Sequence, residues 1–163
     1  MNLMDRIKNR LTRMALGKKP LQEDFPAITP EQLAEIKALF PMPKYFIYGH
    51  PRSGTTLLTR LIRIHPAVHA NYQAHFFTRQ PGSFAFTTGP DMQRWLNHKN
   101  FRWNQGADLR APVARLATDF ILERDALREG KTIVGDKSPN GQTHGATIRN
   151  THTLYPDASI VYI

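Results

Sequence analysis

Glycines, hydroxyl side chains and one arginine are concentrated at residues 49–56 (GHPRSGTT). Gly49 and Gly54 are five residues apart, the glycine spacing of loops that bind phosphate groups through backbone amides. A helix that begins after the second glycine would add the partial positive charge of its amino end. The candidate anion-binding residues are Arg52, Ser53, Gly54, Thr55 and Thr56. The pattern therefore predicts a binding site for a phosphate-like anion.

The cation of this loop distinguishes between two kinds of chemistry. Nucleotide triphosphatases carry a lysine at the position of Thr55, where it contacts the β- and γ-phosphates, and they also require Mg²⁺. Here the charge is the guanidinium of Arg52, whose fork suits one tetrahedral anion or a phosphosulfate. A P-loop kinase or NTPase is an alternative interpretation, as is a ligand-free turn between a strand and a helix.

The flanking residues predict the elements that position the loop. Residues 44–48 (KYFIY) are an aromatic and β-branched run typical of a buried strand. The helix after the loop has one apolar stripe, formed by Leu57, Leu58, Leu61, Ile62 and His65. We expect Pro66 to end that helix. Residues 131–135 (KTIVG) predict another buried strand, after which Asp136 and Lys137 would lie at the sheet edge where open α/β folds bind ligands.

Three of these segments resemble motifs of one family. Residues 49–58 (GHPRSGTTLL) are similar to the loop that binds the 5′-phosphosulfate in sulfotransferases that use 3′-phosphoadenosine 5′-phosphosulfate (PAPS). Residues 136–139 (DKSP) and the strand before the loop also resemble that family. The resemblance covers about residues 44–163. It implies an α/β three-layer P-loop-type fold with a mainly parallel central sheet, PAPS as donor substrate, and no metal.

The resemblance also implies roles for single residues. Lys137 matches a lysine that contacts the oxygen bridging phosphate and sulfate, where charge grows on the leaving group. Bacterial-type relatives have a glutamate as base where this chain has Gln73, which cannot accept a proton usefully. His75 follows two residues later and is competent as a general base near neutral pH, or else is a loop histidine bonded to backbone. The predicted catalytic residues are Lys137, His75 and Arg52.

The last predicted strand, residues 158–163, bears on how much of the family's domain the sequence contains. In relatives this strand is followed by an Arg-Asp-Pro type motif and a serine that bind the 3′-phosphate. Neither motif is present, so we expect an apparently truncated, N-terminal portion that holds the 5′ half of the donor site. Such a chain could be inactive alone, and a non-catalytic remnant is a further alternative.

Composition narrows the function classes. The net charge of +9 is a feature of proteins that bind nucleic acids. Much of it is local, however, because residues 1–19 alone contain six Lys or Arg and one Asp. We therefore expect no nucleic-acid partner, and a nucleic-acid-binding module stays an alternative. The absence of cysteine excludes disulfides and thiolate sites. Because no apolar run has the length of a membrane span or resembles a signal peptide, we expect a cytoplasmic protein.

The chain divides into three predicted segments. Residues 1–19 form a basic amphipathic helix that either contacts an anionic membrane surface weakly or packs on its own domain. Residues 20–43 are a linker and a short helix with Thr29 as its cap. Residues 44–163 form the portion that resembles sulfotransferases.

Within that portion, residues 76–111 are rich in aromatic and polar side chains and resemble the family's variable acceptor-binding region. The expected partner is a small-molecule, glycan or peptide acceptor that the sequence does not name. A long helix is predicted from residue 112 to 129, and its apolar side consists of Val113, Leu116, Phe120 and Leu127. Another helix is predicted at residues 143–154.

Overall fold

The structure, a computed structural model, describes residues 27–78, 90–97, 102–139 and 144–163. The predicted helix at residues 1–19 and the first part of the linker lie outside this range. The elements, in chain order, are α1 (Pro30–Leu39), β1 (Lys44–Tyr48), α2 (Thr55–Ile62), β2 (Val68–Tyr72), α3 (Pro90–Leu96), a 3-10 turn (Arg102–Asn104), α4 (Arg110–Arg128), β3 (Ile133–Lys137), α5 (His144–Leu154) and β4 (Ser159–Tyr162). None of the helices in these ranges has the length and apolarity needed to cross a bilayer.

The four strands form one parallel sheet in the order β2-β3-β1-β4. The register pairs Lys137 of β3 with Ile47 of β1 on one side and with Tyr72 of β2 on the other. The carboxyl ends of these three strands therefore meet at one edge of the sheet. The predicted α/β class with a parallel sheet is confirmed.

Helices cover both faces of the sheet, as a parallel sheet requires. On one face, Leu58 and Ile62 of α2 pack on a cluster of strand residues, namely Tyr45, Ile47, Val68 and Ala70. On the other face, Phe46 and Val134 pack with Leu122 of α4 and Leu154 of α5. Successive strand residues alternate between these faces because side chains alternate along a strand. The result is the predicted three-layer arrangement.

The start of α1 follows the prediction. The Gln32 amide donates to Thr29 Oγ1 at 3.3 Å, and the Thr29 amide donates to Gln32 Oε1 at 3.1 Å. This reciprocal capping satisfies two amides that a helix otherwise leaves without partners. Ile36 is buried, whereas Leu39 is 68 % exposed, so the apolar side of the helix is narrower than its sequence suggests.

The prediction for α2 was wrong in its end point and in part of its buried stripe. The helix ends at Ile62, before Pro66, because the Ile64 and His65 amides bond back only three residues and tighten the turn. Leu57 and Leu61 are 62 % and 54 % exposed. The helix buries the small residues Thr55 and Thr59 against the sheet, with Leu58 and Ile62 partly buried beside them.

The predicted face of α4 was wrong. Phe120 and Leu127 are 54 % and 64 % exposed, and the buried face instead carries three charged side chains: Arg115, Asp119 and Glu123. These charges are buried because partners from distant parts of the chain neutralise them. Lys44 Nζ lies 2.6 Å from Glu123 Oε1 and 3.6 Å from Asp119 Oδ2. Tyr155 donates its hydroxyl to Asp119 Oδ1 at 2.8 Å.

The third strand begins and ends two residues later than predicted. Asp136 and Lys137 belong to β3 and do not follow it. The strand extends this far because β3 lies between two partners: the Gln73 amide donates to the Lys137 carbonyl, and the Ser138 amide donates to the Ile47 carbonyl, each at 3.0 Å. Because β3 pairs with a strand on each side as far as Lys137, Asp136 and Lys137 are part of the sheet and not of a loop after it.

Candidate active site

The loop between β1 and α2 requires its two glycines for different reasons. Gly54 has φ 93° and ψ 0° at the position that caps α2, a left-handed conformation that a side chain disfavours. Gly49 is buried, and a β-carbon there would overlap the Ile163 carbonyl oxygen and lie 2.8 Å from Ser53 Oγ. The spacing recognised in the sequence thus reflects one conformational and one steric requirement.

Several donors of this loop are suited to an anion. The first amides of α2 have no acceptor within the helix, and none of the described side chains caps its amino end. Ser53 Oγ is buried and has no hydrogen-bond partner within the described residues. Because buried hydroxyls are nearly always bonded, this one fits a role in which an anion accepts its proton. Thr55 is buried, and Thr56 is partly buried in the first helical turn.

Arg52 supplies a cation to the loop. Its backbone has φ 68°, a left-handed value that is uncommon outside glycine and that concentrates at functional sites. The residue is exposed at the surface of the loop. The arginine is therefore accessible to a ligand that approaches the amino end of α2.

Lys137 joins β3 to this loop. Its side chain is fully buried, and Nζ donates to Thr56 Oγ1 at 3.3 Å across 81 residues of sequence. The ammonium group therefore lies at the first turn of α2, beside the loop amides. An ammonium removed from water interacts strongly with an anion placed there, since the local dielectric constant is low. The structure therefore brings the two motifs identified in the sequence together.

The turn after β2 reaches the same edge of the sheet. Gln73 and His75 are both partly buried, and both have left-handed backbones, with φ 57° and φ 55°. His75 Nδ1 lies 2.6 Å from Thr78 Oγ1. The Gln73 amide bonds the Lys137 carbonyl, so this turn lies directly beside the strand that carries the lysine.

Asp136 is buried next to Lys137 in sequence but has different partners. Its Oδ1 accepts from the Ala74 amide at 3.0 Å, and its Oδ2 accepts from the Ser138 hydroxyl. Burial raises the pKa of Asp136, and these two hydrogen bonds and the charge of Lys137 oppose that rise. The sequence alone indicates no role for Ser138, although this residue lies within the same DKSP motif as Lys137.

A model of the sulfotransferase family matches residues 43–163, which include the whole sheet and every element of the site described above. The chain belongs to the sulfotransferase family. No curated protein and no solved structure matches the sequence. The predicted family resemblance is confirmed.

In this sulfotransferase chain, the predicted acceptor-binding region is described only in part. Phe76 and Phe77 are buried in the core beside α5. Trp95 and Trp103 stack on each other with ring centroids 4.6 Å apart and are 51 % and 46 % exposed. Residues 79–89 and 98–101, which contain the other aromatic side chains of this region, lie outside the described residues.

Proposed function

We propose that the chain is a cytoplasmic enzyme that transfers a sulfuryl group from PAPS to a hydroxyl or amine of a small-molecule, glycan or peptide acceptor. The observation that carries this proposal is the 3.3 Å contact between Lys137 Nζ and Thr56 Oγ1, which joins a buried cation to the amino end of α2. A cation and oriented amides at one point can stabilise charge that develops on a leaving group.

The residues of the β1–α2 loop fit the 5′-phosphosulfate of PAPS. The donor substrate supplies the transferable sulfuryl group. The loop amides, the Ser53 hydroxyl and the Thr55 and Thr56 hydroxyls would bind its phosphosulfate oxygens, and Arg52 would close over the exposed side. One of these donors, the Ser53 hydroxyl, is buried and otherwise has no partner in the described part of the chain.

The transfer requires a leaving-group cation and a base. The acceptor atom forms the new bond to sulfur, the bond from sulfur to the bridging oxygen breaks, and its electron pair remains on the phosphate. Lys137 would stabilise that growing charge. His75 would take the acceptor proton, since in the tautomer with Nδ1–H donating to Thr78 its Nε2 carries the lone pair.

Binding calorimetry tests the donor assignment. We expect adenosine 3′,5′-bisphosphate to bind more tightly than ATP with Mg²⁺, because the loop carries Thr55 where a triphosphate site needs lysine. Turnover is measured as release of adenosine 3′,5′-bisphosphate from PAPS, with tyramine as a probe acceptor that offers a phenol and an amine. Tighter binding of ATP with magnesium-dependent hydrolysis would favour a kinase or NTPase. Binding without turnover would favour a non-catalytic remnant.

A further inference from the structure

Asp136 and Ser138 form a buried pair at the carboxyl end of β3, each 1 % exposed. The Ser138 hydroxyl donates to Asp136, and the Ser138 amide donates to the Ile47 carbonyl, which attaches the serine to the central strand. The pair also accepts two amides from the turn after β2. Asp136 Oδ1 accepts from Ala74 at 3.0 Å, and Ser138 Oγ accepts from His75 at 2.9 Å.

The turn held in this way has an unfavourable backbone. Gln73 and His75 both adopt left-handed φ values, which are unfavourable for residues other than glycine. Such conformations persist only where their surroundings fix them. Here the amides of residues 73–75 all donate to residues 136–138: one to the Lys137 carbonyl and two to the Asp136 and Ser138 side chains. Hydrogen bonds between backbone groups alone would hold only the Gln73 amide.

We propose that Asp136 and Ser138 are positioning residues that hold His75 at the sheet edge beside Lys137. This inference rests on the proposed function, in which His75 takes the acceptor proton. The side chains of Asp136 and Lys137 leave β3 on opposite faces because neighbours in a strand alternate. Lys137 therefore contacts the donor loop, while the Asp136–Ser138 pair contacts the turn that carries the base.

Ser138→Ala removes the acceptor of the His75 amide and the donor to Asp136. We expect its kcat for PAPS turnover to fall about ten- to a hundredfold, because a misplacement near 1 Å can cost about a hundredfold. The Kd for adenosine 3′,5′-bisphosphate should stay within about twofold, since the pair holds the turn and not the donor loop. Ser138→Thr, which restores the hydroxyl, should recover most of the rate.

Thr118→Val is the matched control. Thr118 is fully buried and its hydroxyl bonds the Ala114 carbonyl within α4, so the variant also deletes a buried hydroxyl while leaving the site alone. We expect kcat to be unchanged in this variant. A rate loss in Thr118→Val equal to that in Ser138→Ala would mean that lost stability, and not positioning, explains both, and would overturn the proposal.

The His75 ring signals in the NMR spectrum provide a readout that does not depend on turnover. We expect Ser138→Ala to shift and broaden them and Thr118→Val to leave them unchanged. Unchanged His75 signals in Ser138→Ala, or a loss confined to adenosine 3′,5′-bisphosphate binding, would overturn the proposal. If His75→Ala keeps full turnover while Ser138→Ala still displaces the signals, the base assignment fails and the positioning of the turn stands.

Asp136→Asn provides a second variant if Ser138→Ala does not fold. Asparagine keeps the shape and can still accept the Ala74 amide, but its amide nitrogen cannot accept the Ser138 hydroxyl. We expect the same displacement of the His75 signals and a smaller fall in kcat. Wild-type signals and rate in this variant would contradict the role of Asp136.

Discussion

Two lysines on neighbouring strands are almost completely buried, but their partners differ. Lys44 begins β1, is 5 % exposed, and lies 2.6 Å from Glu123 and 3.6 Å from Asp119. Lys137 ends β3, is fully buried, and donates at 3.3 Å to the neutral hydroxyl of Thr56. The first lies on the α4 face of the sheet and the second at the amino end of α2.

The charge of Lys44 is structural, whereas we propose that the charge of Lys137 acts in donor binding. The carboxylates of α4 balance Lys44 within the protein, so its charge is satisfied whether or not a ligand binds. Lys137 lies where an incoming anion would meet a helix amino end and loop amides together. Burial alone therefore does not distinguish the two lysines, and their positions in the fold do.

The largest expected effect is on stability, in Lys44→Met. The methionine leaves Glu123 and Asp119 buried without their lysine, and removing one member of a buried pair costs about 3–5 kcal/mol. Urea unfolding measures the change. If the variant is as stable as the wild type, Lys44 does not stabilise the fold by neutralising these carboxylates.

Lys137→Met tests the other half of the comparison with the same substitution. We expect turnover of PAPS to fall at least about a hundredfold, which corresponds to about 2.7 kcal/mol of transition-state stabilisation. Its loss of stability should be smaller than that of Lys44→Met, because the buried carboxylate next to it, Asp136, keeps its hydrogen bonds from Ala74 and Ser138. Normal turnover would remove Lys137 from the mechanism.

Arg52→Ala should lower turnover by about a hundredfold, since one donor to the developing charge is lost. Because Arg52 is exposed, the unfolding midpoint should not change. Arg60→Ala is the control: Arg60 is an exposed arginine in the last turn of α2, away from the loop. Equal rates for the two variants would show that the position of the charge in the loop does not matter.

The smallest expected effect concerns Asp157. This carboxylate bonds Arg115, which lies on the same charged face of α4 as the two partners of Lys44. Partial burial raises the pKa of Asp157, but hydrogen bonds and the charge of Arg115 outweigh that effect and hold it below the usual 3.8. Its stabilisation is therefore present above pH 3.8 and is lost as the pH falls through the folded-state pKa. Asp157→Asn should cost about 2 kcal/mol at pH 7, and this cost should fall as the pH is lowered through the folded-state pKa of Asp157.

Melting temperatures of both proteins across this pH range measure the effect. Asp125→Asn is the control, because Asp125 pairs with Arg124 and Arg128 at the surface, where solvent screens the charges. A difference between Asp157→Asn and wild type that is independent of pH would contradict the ionic role of Asp157.

The sequence predicted local structure correctly where the interactions that form it lie within one short segment. The capping box at Thr29 and the strand at residues 44–48 were predicted correctly, because capping hydrogen bonds and backbone preferences act within a few residues. The predicted face of α4 was wrong for the opposite reason. Its charged side is buried only because Lys44 and Tyr155 lie across from it, and neither is close in sequence.

The site shows the same division. Residue types and spacing identified the loop of Arg52 and Ser53, and the resemblance to the family added the lysine at 137 and the histidine at 75. Their assembly was decided by the strand order β2-β3-β1, which places the ends of three strands side by side. The contact of Ser138 with His75 depends on this assembly. The Ser138 hydroxyl can accept from the His75 amide only because the fold brings these two distant segments together.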